Sequence, residues 1–162
     1  KSIIRLLYAA SSRPSDNRHL QFMPHLASAY ADLAGARAIY NPIQERLYTV
    51  PEFCESLSAE PSAENPEFHV RTVWESADTF GQVRTYGLAA IGERDILTEP
   101  LPNDQRTLAV SAVKELLASL FAGSQVVEPI SVEALGVQLL IKREAVREGL
   151  SRTRIFRKNE QA

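Results

Sequence analysis

The sequence predicts an α+β fold in two layers: a mainly antiparallel sheet with two long amphipathic helices on one face. Three observations carry this. Residues 20–34 and about 104–122 repeat apolar side chains at spacings of three and four, the helical period. Residues 67–99 hold three successive strand-like stretches, joined by connections too short for a parallel crossover. The 162 residues are 44% hydrophobic and 23% charged, the make-up of a globular domain with chain enough for one sizeable core.

Residues 2–9 (SIIRLLYA) read as a buried inner strand, β-branched or bulky almost throughout. The basic start and small closing residues of 1–12 also resemble a secretory leader, but Arg5 interrupts a short apolar run, so the strand is preferred. Residues 11–18 are a polar loop. In the first helix Met23, Leu26, Ala27, Tyr30, Leu33 and Ala34 form one stripe. Pro24 suits a first turn, and Gly35 suits a C-terminal cap. Residues 36–40 and 46–50 read as paired strands around an Asn41-Pro42 turn.

Pro51 opens a short helix over 51–57, and the proline-bearing 58–66 is an exposed loop. Residues 67–76 alternate as a strand, with Phe68, Val70 and Trp74 on one face and His69, Arg71 and Glu75 on the other. Trp74 is therefore expected in the core. Residues 82–90 return as the second strand of a hairpin, and 94–99 form another. Asn103 or Asp104 caps the long helix, whose buried stripe is Ala109, Val113, Leu116, Leu117, Leu120 and Phe121, ended by Gly123. Strands at 125–128 and 135–143 follow, the second with Leu135, Val137, Leu139 and Ile141 on one face. The domain is expected to span 1–148, with 149–162 a basic, frayed tail.

Charge and motif content narrow the function. The net charge is −2, against a dedicated nucleic-acid binder. The basic residues do gather late, with Lys142, Arg143, Arg147, Arg152, Arg154, Arg157 and Lys158 against Glu144 and Glu148. No phosphate loop, dinucleotide fingerprint, nucleophile elbow or zincin motif occurs. His19, His25 and His69 lack metal-ligand spacing, so no metal and no cofactor is expected. The lone Cys54 can form no internal disulfide, and Glu52 and Glu55 beside it oppose a thiolate. No stretch approaches the ~20 apolar residues that span a bilayer, so neither membrane insertion nor an oxidising compartment is indicated and a cytoplasmic location is expected.

The most distinctive stretch is TYGLAAIG at 85–92, a strand with a glycine inside it. Together with LASAYADLAGARAIYNPIQERLYTVPEF at 26–53 and the Val73-Trp74 strand, it resembles a bacterial domain family without an assigned activity. That pattern is a helix, an Ala/Gly-rich strand ending in Tyr or Trp, a Pro-Glu-Phe helix and a Thr-x-Gly-Leu hairpin segment. Ile91 stands where the family carries an aromatic, and the last forty residues lie outside the pattern. The resemblance implies a bacterial source and a link to toxin-immunity or defence systems, and it carries over no catalytic residue.

The expected function is a non-enzymatic domain that binds a protein partner, or its own copy, through Arg71, Glu75, Arg84 and Tyr86. Arg and Tyr are types enriched at binding hot spots. These residues share a face only in one of two hairpin registers, since a slip of one residue reverses the face. Two alternatives stand beside it. One is a small hydrolase or transferase, in which His19, His25 or His69 would meet Asp16, Glu75 or Asp95 in a pocket. The other is nucleic-acid contact through the basic tail.

Overall fold

A computed structural model describes residues 3–9, 16–59, 65–123, 129–145 and 150–160. The elements are α1 (Arg18–Leu33), β1 (Ala38–Asn41), β2 (Arg46–Thr49), α2 (Val50–Ala59), α3 (Pro66–His69), β3 (Arg71–Ala77), β4 (Phe80–Tyr86), β5 (Asp95–Thr98), β6 (Leu101–Pro102), α4 (Arg106–Phe121), β7 (Ile130–Ala134), β8 (Val137–Ala145) and β9 (Leu150–Arg157). The class is α+β. One sheet runs β3-β4-β5-β9-β8-β7, with β6 beside β4; β1 and β2 form a separate hairpin. Every pairing is antiparallel except β5 with β9.

The core lies between α4 and one face of the sheet. All six expected stripe residues of α4 are buried, and Ala112 with them. They meet Val83, Ile96, Leu139 and Ile141, each at most 1% exposed. Trp74 is half-buried at the rim of this core, on its face of β3. α1 reaches the same core at its N-terminal end through Leu20, and otherwise packs on α2 and the β1–β2 hairpin. A second apolar cluster, Tyr48, Phe53, Leu57 and Phe68, lies beneath α2.

The pairing of β4 with β5 uses side chains in place of part of its ladder. Thr98 Oγ1 accepts the Val83 N–H at 2.9 Å, and Thr85 Oγ1 accepts the Ile96 N–H at 2.7 Å. Both threonines are fully buried.

Several expectations are corrected. Residues 3–9 are in no strand, and Ile3 (95% exposed), Ile4 and Leu7 stand in solvent. Composition favoured a strand there, but a strand needs a partner, and none of the described residues supplies one. α1 starts at Arg18, so Pro24 is inside the helix rather than in its first turn. The leading turn is held from outside by the Asn17 carbonyl, which accepts from Leu20 N–H, and by His19, whose Nε2 meets the Ala90 carbonyl at 2.6 Å. The buried positions of α1 are Leu20, Pro24 and Ala31, while Tyr30 and Leu33 are exposed.

Residues 66–69 are helical because Asn65 caps them, its side chain accepting from Glu67 N–H, with Pro66 in the first turn. Phe68 thus joins the α2 cluster rather than sharing a strand face with Trp74. The long helix is not capped by Asn103 or Asp104, which sit in a preceding 3₁₀ turn. Leu135 is not in a strand: with Gly136 it makes the β7–β8 turn, both at positive φ (52° and 74°).

The largest correction concerns the C-terminus. The expected boundary at 149 falls where β9 begins, and β9 lies inside the sheet between β5 and β8. Ser151, Thr153 and Ile155 face the core side, and Thr153 is fully buried. Alternation of arginine with β-branched residues is how a half-buried strand reads; arginine content alone suggested a solvated tail. The strand expected at 125–128, and much of the loops at 11–18 and 58–66, lie outside the described residues.

Candidate functional site

Helix α4 covers one face of the sheet, and among the described residues no helix packs on the other. The β3–β4 register sets what that open face carries. Arg71 opposes Tyr86, Val73 opposes Arg84 and Glu75 opposes Gln82. Directly opposed residues share a face, so Arg71, Glu75, Arg84 and Tyr86 come together there. A two-residue turn fixes this register, with Asp78 at φ 48° between Ala77 and Phe80.

These four side chains form one polar cluster. Tyr86 Oη donates to Glu75 Oε1 at 3.0 Å. Arg84 Nη1 reaches Tyr86 Oη at 3.5 Å and Glu75 Oε1 at 3.6 Å. The Arg71 and Arg84 guanidinium carbons lie 4.7 and 5.8 Å from the centre of the Tyr86 ring, within cation–π range. Arg71 also pairs with Glu45 of the β1–β2 turn, tying that hairpin to the end of β3. The Arg84 pKa is raised above its ordinary value, by the hydrogen bond to Tyr86 first; burial opposes this and Glu75 adds to it.

The open face extends well beyond these four. Val73, Arg84, Leu97, Arg152 and Glu144 stand side by side across β3, β4, β5, β9 and β8. Glu99 lies between Arg152 (3.7 Å) and Arg154 (3.4 Å), and Glu144 between Arg154 (3.9 Å) and Lys142 (3.7 Å). Phe156 and Leu140, opposite each other on β9 and β8, are half-buried on this face. The expectation of a tail over 149–162 hides Arg152, Arg154 and Phe156, and with β9 unplaced nothing sets Leu97, Glu99 and Glu144 beside them. The period-two pattern of RTRIFR was the signal available.

Residues considered for catalysis do not assemble. Asp16 binds the Arg18 amide and guanidinium, Asp95 accepts from Leu88 N–H at 3.1 Å, and Glu75 is engaged as above. His19 stacks on Tyr8 and His69 on Phe121. Cys54 Sγ lies 3.2 Å from Ser28 Oγ. A cleft of about 270 Å³ between the start of α4 and the end of β9 is lined by Leu101, Gln105, Leu108, Leu139, Ile155 and Arg157, a set without a nucleophile or a general base. Among the described residues no three His, Cys, Asp or Glu side chains gather as metal ligands, and no helix is long and apolar enough to cross a membrane.

No protein-family model, no curated protein and no solved structure matches this chain.

Proposed function

We propose that this chain is a bacterial, cytoplasmic, non-enzymatic domain that binds a protein partner through the open face of its sheet. The observation that supports this is the row Val73, Arg84, Leu97, Arg152 and Glu144, with Tyr86 and Glu75 beside it. Half-buried apolar side chains alternate there with arginines and glutamates already held in place by their neighbours. Such preorganised arginine and tyrosine side chains lose little freedom on docking. The signs of charge alternate along β8, β5 and β9, which suits a mixed protein surface better than the uniform phosphate backbone of nucleic acid.

The test is a photo-crosslinking residue in place of Leu97, expressed in the native host, with the same residue in place of the exposed Glu115 of α4 as the control. A discrete adduct from position 97 alone is expected. Arg84→Ala and Tyr86→Ala should each then weaken binding of the captured protein by about 2 kcal/mol, the scale of a hot-spot residue. Adducts that do not differ between positions 97 and 115, or a partner indifferent to both alanine variants, would refute the reading.

A further inference from the structure

The arm formed by residues 3–9 has the composition of a strand and, among the described residues, no strand to pair with. It carries apolar side chains on both parities, Ile4 and Leu6 on one, Ile3 and Leu7 on the other. Tyr8 anchors its base, stacked on His19 at 4.8 Å between ring centroids. Beyond that anchor Leu6 is half-buried, but Ile3 is 95% and Leu7 75% exposed. Holding such residues in water forgoes the stabilisation that burial gives.

The sheet offers a matching vacancy. Among the described residues β3 is an edge strand, all of its seven residues paired with β4 on one side. Natural edges are guarded by proline, lysine or bulges. The opposite edge, β7, is short and preceded by Pro129, whereas β3 has no proline, no lysine and no bulge. Beside the start of β3 runs a groove of about 170 Å³, with Val70, Thr72, Leu117 and Ala118 along it and the Lys114–Glu67 ion pair (2.5 Å) at one end. An edge strand next to an apolar groove against a helix is the geometry that accepts an added strand: the backbone pairs with the edge, and alternate side chains enter the groove.

We infer that residues 3–9 of one copy add to the β3 edge of a second copy, so that two chains exchange arms in a symmetric dimer. One parity of the arm's apolar side chains fills the groove between Val70 and Leu117. Its cation, Arg5, on the same parity as Ile3 and Leu7, comes beside the Glu67 carboxylate of the groove, which Lys114 already shares. A reciprocal exchange closes on itself and leaves neither β3 edge free. The polar cluster of the open face takes no part, so the dimer stands or falls independently of the partner-binding reading.

Sedimentation and light scattering on the full chain test this. The parent is expected to dimerise. Leu7→Asp alters a residue outside any packed element, and Ala118→Arg fills the groove from an exposed helix position, so both should stay folded, as circular dichroism would verify. Each should weaken dimerisation by about tenfold or more, the effect of setting an unpaired charge in an apolar contact. Mixing the two should recover a heterodimer, because the intact arm of the groove variant can enter the intact groove of the arm variant. In a Cys54→Ser background, Ile3→Cys chains, altered on the same parity as Leu7, mixed with Ala118→Cys chains should give a disulfide-linked heterodimer under mild oxidation. A parent that is monomeric at every concentration, or a dimer indifferent to either Leu7→Asp or Ala118→Arg, overturns the proposal.

Discussion

Gly81 of β4 lies against the indole of Trp74 on β3, and the ring leaves no room for a side chain there. A Cβ built on Gly81 would fall 2.6 Å from Trp74 Nε1 and closer still to Cε2 and Cζ2. The glycine thus lets the largest side chain of the hairpin fold flat over its neighbouring strand and reach the rim of the α4 core. Gly81→Ala must displace the indole, and an overpacked site of this kind costs about 1–3 kcal/mol. Trp74→Ala, at a half-buried position, should cost about 2–4 kcal/mol, at or below the range for fully buried aromatics. In the Trp74→Ala background the added cost of Gly81→Ala should nearly vanish. Denaturant unfolding of the four proteins checks this, and equal costs in both backgrounds would contradict it.

The three buried threonines of the sheet should respond differently to valine. Thr85 and Thr98 accept backbone N–H groups of Ile96 and Val83, so Thr85→Val or Thr98→Val leaves a buried donor unsatisfied. Each should cost about 1–3 kcal/mol. Thr153 Oγ1 is buried without a hydrogen-bond partner among the described residues, so Thr153→Val should be neutral or stabilising. Chemical denaturation of the three variants measures the contrast, and a uniform loss would show that the hydroxyls matter only through packing.

Acid should weaken the start of α2 through one carboxylate. Glu52 Oε2 accepts from both the N–H and the hydroxyl of Thr49, each at 2.8 Å, and Thr49 Oγ1 accepts from Glu52 N–H at 3.4 Å, a reciprocal capping pair. The backbone hydrogen bond from Thr49, then the hydroxyl, lower the Glu52 pKa below its ordinary 4.5. A carboxylate depressed in the folded state contributes stability that is complete above the unfolded pKa and is lost as pH falls through the folded value. NMR titration should therefore place the Glu52 midpoint under 4.5, and Glu52→Gln should remove this part of the acid response. A midpoint at or above 4.5 would refute the capping role.

Removing residues 150–162 should unfold the protein rather than trim it. β9 separates β5 from β8 and covers the flanks of Ile96, Thr98 and Ile141, all fully buried. Exposing the middle of a sheet exceeds the roughly 5–15 kcal/mol by which a domain is stable. The shortened chain should lack a cooperative thermal transition in circular dichroism. A folded 1–149 fragment would show that the strand is dispensable.

Sequence by itself determined what depends on near neighbours along the chain. The stripe of α4 was legible because helical periodicity repeats within one segment, and it named six buried residues of that helix. The opposed faces of β3 were legible for the same reason, with period two in place of 3.6. Tertiary structure alone decided which strands have partners. Residues 3–9 and 150–157 exchanged their expected roles, the apolar segment lying in solvent and the basic one inside the sheet. β9 finds its place by pairing in parallel with β5, more than fifty residues earlier, and its arginines are settled by Glu99 and Glu144 on the neighbouring elements. A strand's backbone hydrogen bonds go to other strands, so no local pattern states whether they will be met; a helix meets its own, and its pattern is enough.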